Sequence, residues 1–412
     1  MNNNNNITIV DSIMGSSKTT YFMNYMKENQ GGKRFIYITP FLDEIKRVQN
    51  EVPYLRTPKA INGKKLEHFK KIIMEGDSVA TTHSLLSKFD LQTQEAIEIG
   101  EYELILDEVA DVVHPFTFDS LSDKKTFFED LGYIDDEGYL CWDKEKNPIE
   151  EYTGRYYDIM ILCENRNLVT VKGDIFLWEL PINIFKKFSK VFILTYLFKG
   201  SYQKSYFDMY DIDYDYKTME NGKLINYKEA STEDKKQWKD LINILDNEKL
   251  NKIGEAEYSL SATWFKKSVK ASGKQTVFQK TLKNNMENFF VNIVKGKSKE
   301  NMWSVFKNYQ NRLKGIGYTK GFVNYNSRAT NEYRHKKNLA YIVNLYPHYA
   351  MTVYFRDKGI TIDSDEYALS ILLQWIWRSR VRSYQAPSEE REINLYIPSL
   401  RMRTLLIDWL EK

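Results

Sequence analysis

The sequence predicts an α/β protein whose strands form parallel sheets in two domains. Short β-branched or apolar runs alternate with amphipathic helical stretches from Ile7 to Val113, and a similar alternation resumes in the C-terminal third. At 412 residues the chain can also bury two cores of ordinary size.

The first strand is Ile7 to Val10. Thr19 to Lys27 then has the apolar spacing of a helix, with Tyr21, Phe22, Tyr25 and Met26 on one side. Phe35 to Thr39, "FIYIT", predicts a second strand, and Pro40 with "FLDEIKRV" starts a helix. Lys64 to Met74 is amphipathic, and "SVATTHSLL" gives a strand ending in hydroxyls and a histidine. In Glu101 to Val113 the apolar Leu104 to Leu106 form a buried parallel strand finished by two acids. From about 122 to 187 the pattern loosens into an insertion with a hairpin-like "GYIDDEGYLCWD", and "KVFILTYLF" returns to the sheet. A polar stretch at 216–256 marks the boundary between domains 1–215 and 216–412. The second domain holds a basic helical segment at 266–337 and the strands "GFVNYN", "AYIVNLY" and "MTVYF". The helix "DEYALSILLQWIWRSRVRS" and a last strand "INLYI" complete it. The N-terminal asparagine run reads as disordered.

Composition excludes several classes. No apolar run approaches the roughly 20 residues that span a bilayer. The two cysteines, Cys141 and Cys163, fit neither a disulfide framework nor a zinc site, and "MNNNNN" lacks the design of a signal peptide, so a cytoplasmic protein is expected. The net charge of +3 hides an asymmetry: residues 266–337 hold 17 Lys or Arg against 3 acids, a net of +14, leaving −11 elsewhere. A local field of this sign attracts polyanions. The interleaved Trp264, Phe265, Phe289, Phe290, Trp303, Phe306, Tyr309 and Tyr318 are read first as core positions of amphipathic helices.

The chemistry-bearing stretch is "SIMGSSKTT". In the pattern G-x-x-x-x-G-K-[ST], Lys18 and Thr19 align while Ser12 and Ser17 replace the two glycines. A strand, tight loop and helix are the required context, since successive backbone N–H groups must point at phosphates from a helix N-terminus. Gly15 and Ser16 can form the turn with Ser17, Lys18 supplies the cation, Thr19 the magnesium ligand, and Thr20 follows in the first helical turn. Serine at 17 puts a Cβ where a positive φ is wanted. The stretch alone reads equally as a polar strand-to-helix turn. Asp107 and Glu108, 89 residues after Lys18, change the balance: one carboxylate can hold the magnesium shell while the second activates water.

With these residues the chain resembles superfamily 2 DEAD/DEAH-box-like helicases of the phage-encoded type. "MGSSKTT", "YITPFLDE", "VATTHSLL", "ILDEVAD" and "FILTYLF" follow the family's motif order, and "QWIWRS" and "IYIPS"-like segments close it. The resemblance implies two RecA-like P-loop NTPase domains, ATP and Mg2+ as cofactors, and ATP hydrolysis with Glu108 as the base. In "LLQWIWRSRVRS", Gln374 and Arg378 match the motif whose arginines reach the γ phosphate, with either Arg380 or Arg382 as the second. It further implies nucleic-acid contacts at Thr39 and Pro40, at Thr81, Thr82 and His83, and at Arg328, Thr330 and Asn331. Lys266, Lys267, Lys295 and Lys297 of the basic segment are added on charge. DNA is expected over RNA, with phage replication proteins as possible partners in a bacterial host. A DNA-packaging motor and a nucleotide-gated clamp with weak hydrolysis are the alternatives.

Overall fold

The computed structural model describes residues 6–61, 63–149, 151–269, 275–327, 332–383 and 387–412. The asparagine run, Arg328, Thr330 and Asn331 lie outside them. Two compact units emerge: Met1–Ser12, Ser16–Lys228 and His348–Ile362 in one, and Ile13–Gly15, Glu229–Pro347 and Asp363–Lys412 in the other. Among the described residues no helix is long and apolar enough to cross a membrane.

The first unit holds strands β1 (Ile7–Asp11), β2 (Phe35–Thr39), β3 (Val79–Thr82), β4 (Glu103–Asp107), β5 (Val113–Phe116) and β6 (Gly132–Ile134). It continues with β7 (Leu140–Trp142), β8 (Leu168–Val171), β9 (Ile175–Glu179), β10 (Lys190–Thr195), β11 (Asp215–Glu220) and β12 (Lys223–Asn226). A seven-stranded sheet has the order β12-β11-β1-β10-β4-β2-β3, parallel except for the β11/β12 hairpin. Both its faces are buried, which explains the near-continuous apolar strands. Ile7, Ile9, Ile36, Ile38, Leu104 and Leu106 face one core, while Val10, Phe35, Tyr37 and Ile105 face another, the period-two alternation of a pleated strand. The Lys18–Glu28 helix buries Phe22, Met23 and Met26 in the second of these cores. Full burial of each such side chain contributes roughly 1.5–3 kcal/mol.

The insertion between β4 and β10 forms a three-stranded antiparallel sheet, β5-β9-β8, and the expected hairpin, β6/β7. Its buried Glu179 accepts hydrogen bonds from the phenols of Tyr210 and Tyr354, and burial raises its pKa. Tyr354 belongs to Tyr349–Asp357, which the sequence led us to expect as the strand "MTVYF" and which is a helix of the first unit. A five-residue apolar run does not discriminate the two periods. Here Ala350, Met351, Tyr354 and Phe355 share one helical face and enter the core.

The second unit contains β13 (Ile242–Ile244), β14 (Asn301–Ser304), β15 (Asn338–Tyr341) and β16 (Ile393–Tyr396), all parallel in the order β13-β16-β15-β14. One face packs Trp303, Ala340 and Tyr396 against Phe265, Leu282, Met286, Phe289 and Phe290, so most aromatics of the basic segment are core. On the other face Tyr341 meets Trp375 of the Ser364–Ile376 helix, with ring centroids 5.1 Å apart. Asn301, Asn338 and Asn394 form an amide ladder across the strand starts, linked by two bonds of 2.9 Å. "GFVNYN" is not a strand beyond an isolated bridge from Phe322 to Trp303. A Cβ on Gly321 would lie 2.2 Å from the Asn301 carbonyl oxygen, so this segment reaches β14 by a close backbone approach that glycine permits. The long helix ends at Ile376, short of the arginines, and Arg380–Arg382 is a separate 3-10 turn. β11 and β12, beyond the expected boundary at 215, extend the first sheet.

Candidate nucleotide-binding site

The C-terminal ends of parallel strands are where open α/β sheets bind ligands, because loops there diverge and helix N-termini converge. In the first unit these ends carry Asp11, Thr195 and Asp107 on the adjacent strands β1, β10 and β4.

The loop after β1 turns back into a helix starting at Lys18. Gly15 has φ +92° and Ser17 φ +64°, ψ +23°, the left-handed conformation expected of a glycine at that point. The serine caps nothing, since its side chain makes no hydrogen bond to the helix N-terminus. Its conformation costs about 1–2 kcal/mol relative to an unstrained residue. Ser12, at the other missing glycine, has a role: its hydroxyl lies 2.7 Å from that of Thr218 and accepts from Met219 N at 2.6 Å, fastening the loop to β11. Lys18 Nζ donates to the Ser12 carbonyl, closing the loop on itself. Burial lowers its pKa against the pull of Glu108, Asp11 and Asp107. Ser16 and Thr20 lie in the same loop-to-helix turn.

Thr19 Oγ1 stands 3.5 Å from Asp107 Oδ1, too long for a strong O–H···O bond. A hydroxyl and a carboxylate at this separation suit a hard divalent cation that takes oxygen ligands and keeps waters of its own. The Tyr37 hydroxyl donates to Asp107 Oδ2 at 2.8 Å, and His83 Nε2 lies 3.0 Å from the Asp107 carbonyl oxygen. Burial, with Glu108 and Glu44 nearby, pushes the Asp107 pKa up to about 7. Glu108 follows in a left-handed conformation, φ +69°, its N–H bonded to Leu194 O at 2.9 Å, so this pair of acids is tied to β10.

The Asp107 shift has a thermodynamic consequence. The native carboxyl titrates at about 7 and an unfolded one near 3.9, so between those values the native state holds a proton that the unfolded state has lost. Stability from this group is therefore present at low pH and falls as pH rises toward 7. Asp107→Asn keeps an acceptor for Tyr37 without the charge. Without metal or nucleotide, it is expected to exceed the wild type at pH 8 by on the order of 1–3 kcal/mol and to match it near pH 4. Thermal melts across that range check this; parallel curves would mean that the carboxyl is solvated.

Several residues at this site escaped the sequence reading. Asp11 is 4% exposed and accepts from Leu197 N and Phe198 N at 2.9 Å each and from the Tyr216 hydroxyl at 2.8 Å. It joins the end of β1 to the turn after β10. Gln203 Oε1 accepts from Ala110 N at 2.9 Å, holding the segment behind the acidic box. The usable signal for Asp11 was a carboxylate ending a mostly apolar strand, whereas Gln203 sits in the mixed helix Tyr202–Met209 and carried no such signal.

The remaining sites sort by exposure. Thr39 at the end of β2 and Thr81, one residue before the end of β3, are buried as whole residues, at 1% and 3%, so neither reaches solvent, whereas Pro40, Thr82 and His83 are partly exposed. In the second unit Gln374 is partly buried near the end of its helix. Arg378 is 2% exposed, and its charge acts on Tyr341 and Tyr333, whose pKa values burial raises. A solvated helix end is thus not what Arg378 forms. Arg380 and Arg382 are partly exposed in their 3-10 turn. Lys266, Lys267, Lys295 and Lys297 are all exposed. Cys141 and Cys163 are free thiols, and among the described residues no group of three His, Cys, Asp or Glu could hold a metal.

Comparison with known proteins places the chain. Residues 236–410 match a model described as the YonV C-terminal Rossmann-like domain, and 120–178, within the insertion, match the YonV middle domain. The SPbeta prophage-derived uncharacterized protein YonV of Bacillus subtilis (strain 168) is 38% identical over 419 residues, covering 98% of each chain. With a prophage-derived relative aligned nearly end to end and a Rossmann-like parallel sheet in its second unit, this chain belongs to the YonV family.

Proposed function

We propose that this protein is an ATP-dependent helicase or translocase of superfamily 2, built on RecA-like domains and acting on phage DNA. The observation that supports it most is the meeting of Thr19 and Asp107, 3.5 Å apart, beside a loop whose Ser17 takes the left-handed turn of a phosphate cradle. Sequence neighbours do not bring these about; they lie 88 positions apart. Lys18 would neutralise the β and γ phosphates once drawn from the Ser12 carbonyl, and the loop N–H groups would hold them. Thr19 and Asp107 would hold Mg2+, which supplies charge neutralisation at the transferring phosphoryl group. Glu108 would take the proton of the attacking water at its carboxylate. Arg378 keeps the planar, permanently charged fork suited to a transition-state phosphate.

Phosphate release from ATP, measured with and without single-stranded DNA, tests the reading. Stimulated turnover is expected; binding without turnover would favour the nucleotide-gated clamp. Strand displacement on forks with 3′ or 5′ tails then separates a helicase from a packaging motor.

The left-handed serine gives a sharper test. Ser17→Gly relieves about 1–2 kcal/mol of backbone strain in the cradle and is expected to raise turnover a few-fold. A drop in kcat would mean that the serine hydroxyl takes part in the reaction.

A further inference from the structure

The aromatics of the basic segment divide into two kinds. Phe265, Phe289, Phe290, Trp303 and Tyr318 are at most 1% exposed and belong to the core. Phe278 is 58% exposed and Trp264 only partly buried, with ring centroids 5.9 Å apart and planes at 62°. Two capped helices hold them. Ser261 Oγ accepts from Trp264 N at 3.2 Å to start Ala262–Lys267, and Thr276 caps Val277–Glu287. Trp264 leans on buried Phe265, centroids 4.9 Å apart, and Phe265 on Tyr309 at the same distance, so the pair stands on the core and not on a loop.

Isolated exposed apolar residues need no explanation, but this pair has a specific electrostatic setting. From 258 to 286, between Glu257 and Glu287, the sequence carries six lysines and no Asp or Glu, and Lys266, Lys267 and Lys280 are exposed on the same two helices as the rings. A partner offering apolar contact alone gains nothing from such a positive field. A polyanion that also offers flat π faces gains from both. Bases in a duplex already stack on one another, whereas those of a single strand can stack on protein rings.

We propose that Trp264 and Phe278 form a stacking platform for the bases of single-stranded nucleic acid, whose phosphates lie on Lys266, Lys267 and Lys280. The assignment rests on the nucleic-acid half of the function proposed above and is independent of its ATP chemistry.

The test uses the full chain and a labelled twelve-nucleotide oligo-dT, with a duplex of equal length for comparison, read by fluorescence anisotropy over a salt series. Phe278→Ala is expected to weaken single-strand binding about tenfold. Duplex binding should change little, and the salt slope should stay the same, since a ring releases no counterions. Phe278→Trp should restore affinity. Unchanged single-strand affinity in Phe278→Ala would overturn the proposal. An equal loss in Val277→Ser would also do so, because it would mark a general apolar patch. So would failure of the wild type to bind the single strand; phosphate release by the same preparation would then show separately whether the ATP reading stands.

Discussion

Lys18→Ala is expected to lower ATP hydrolysis by about 10²-fold or more, and Glu108→Gln to lower it by about 10²–10⁴-fold while ATP binding survives. The two differ because they remove different things. On the proposed reading Lys18, held beside Asp11, Asp107 and Glu108, would offer the ammonium of the cradle, so its loss would weaken both binding and the stabilisation of developing charge. Glu108 is set in place by backbone, through its left-handed φ and its N–H bond to Leu194 O. The isosteric amide should keep that placement and lose only the proton acceptor. Nucleotide binding by equilibrium dialysis and phosphate release under single turnover separate the effects. Wild-type turnover in Glu108→Gln would remove Glu108 from the reaction and with it the motor reading.

The second large effect is electrostatic. Reversing Lys266, Lys267, Lys295 and Lys297 to Glu changes eight units of charge in a segment that carries +14. All four side chains are exposed, so no core packing is lost. If each neutralises a phosphate, the logarithmic salt slope for single-strand binding should flatten by about 0.7 per lysine, with affinity falling for every sequence alike. Paired with Phe278→Ala, the experiment divides the surface by mechanism: lysine reversal moves the slope, whereas ring removal moves the affinity at constant slope. An unchanged slope, with the fold verified by thermal melting, would show the lysines to be a solvated face.

Much of this protein was legible from its sequence. β2 spans Phe35–Thr39 as read, and the β6/β7 hairpin lies in the expected stretch, because alternation and turn residues act over distances of a few positions. The strand, turn and helix around Lys18 and the strand ending at Asp107 were legible for the same reason, as local secondary-structure patterns. Errors fell where local signals are degenerate. "MTVYF" suits either period, and its burial against the first unit chose the helix; "GFVNYN" pairs with β14 only at a single bridge, Phe322 to Trp303, and does not extend into a ladder.

Tertiary structure alone decided the connections that make a site. The Tyr37 hydroxyl on Asp107, Asp11 under the Leu197–Phe198 amides and the Ser12 to Thr218 contact span 70, 187 or 206 positions, and no spacing rule reaches that far. Burial also sorted residue types that the sequence leaves equivalent: Phe265 went to the core and Phe278 to the surface, and Arg378 inside while Lys266 stayed out. Sequence by itself set the periodicities, the charge of the basic segment and the residue types at the loop and box, because these are local or additive. Which side chains meet, and which face water, followed from the order in which parallel strands assemble, since that order sets distances between residues remote in the chain.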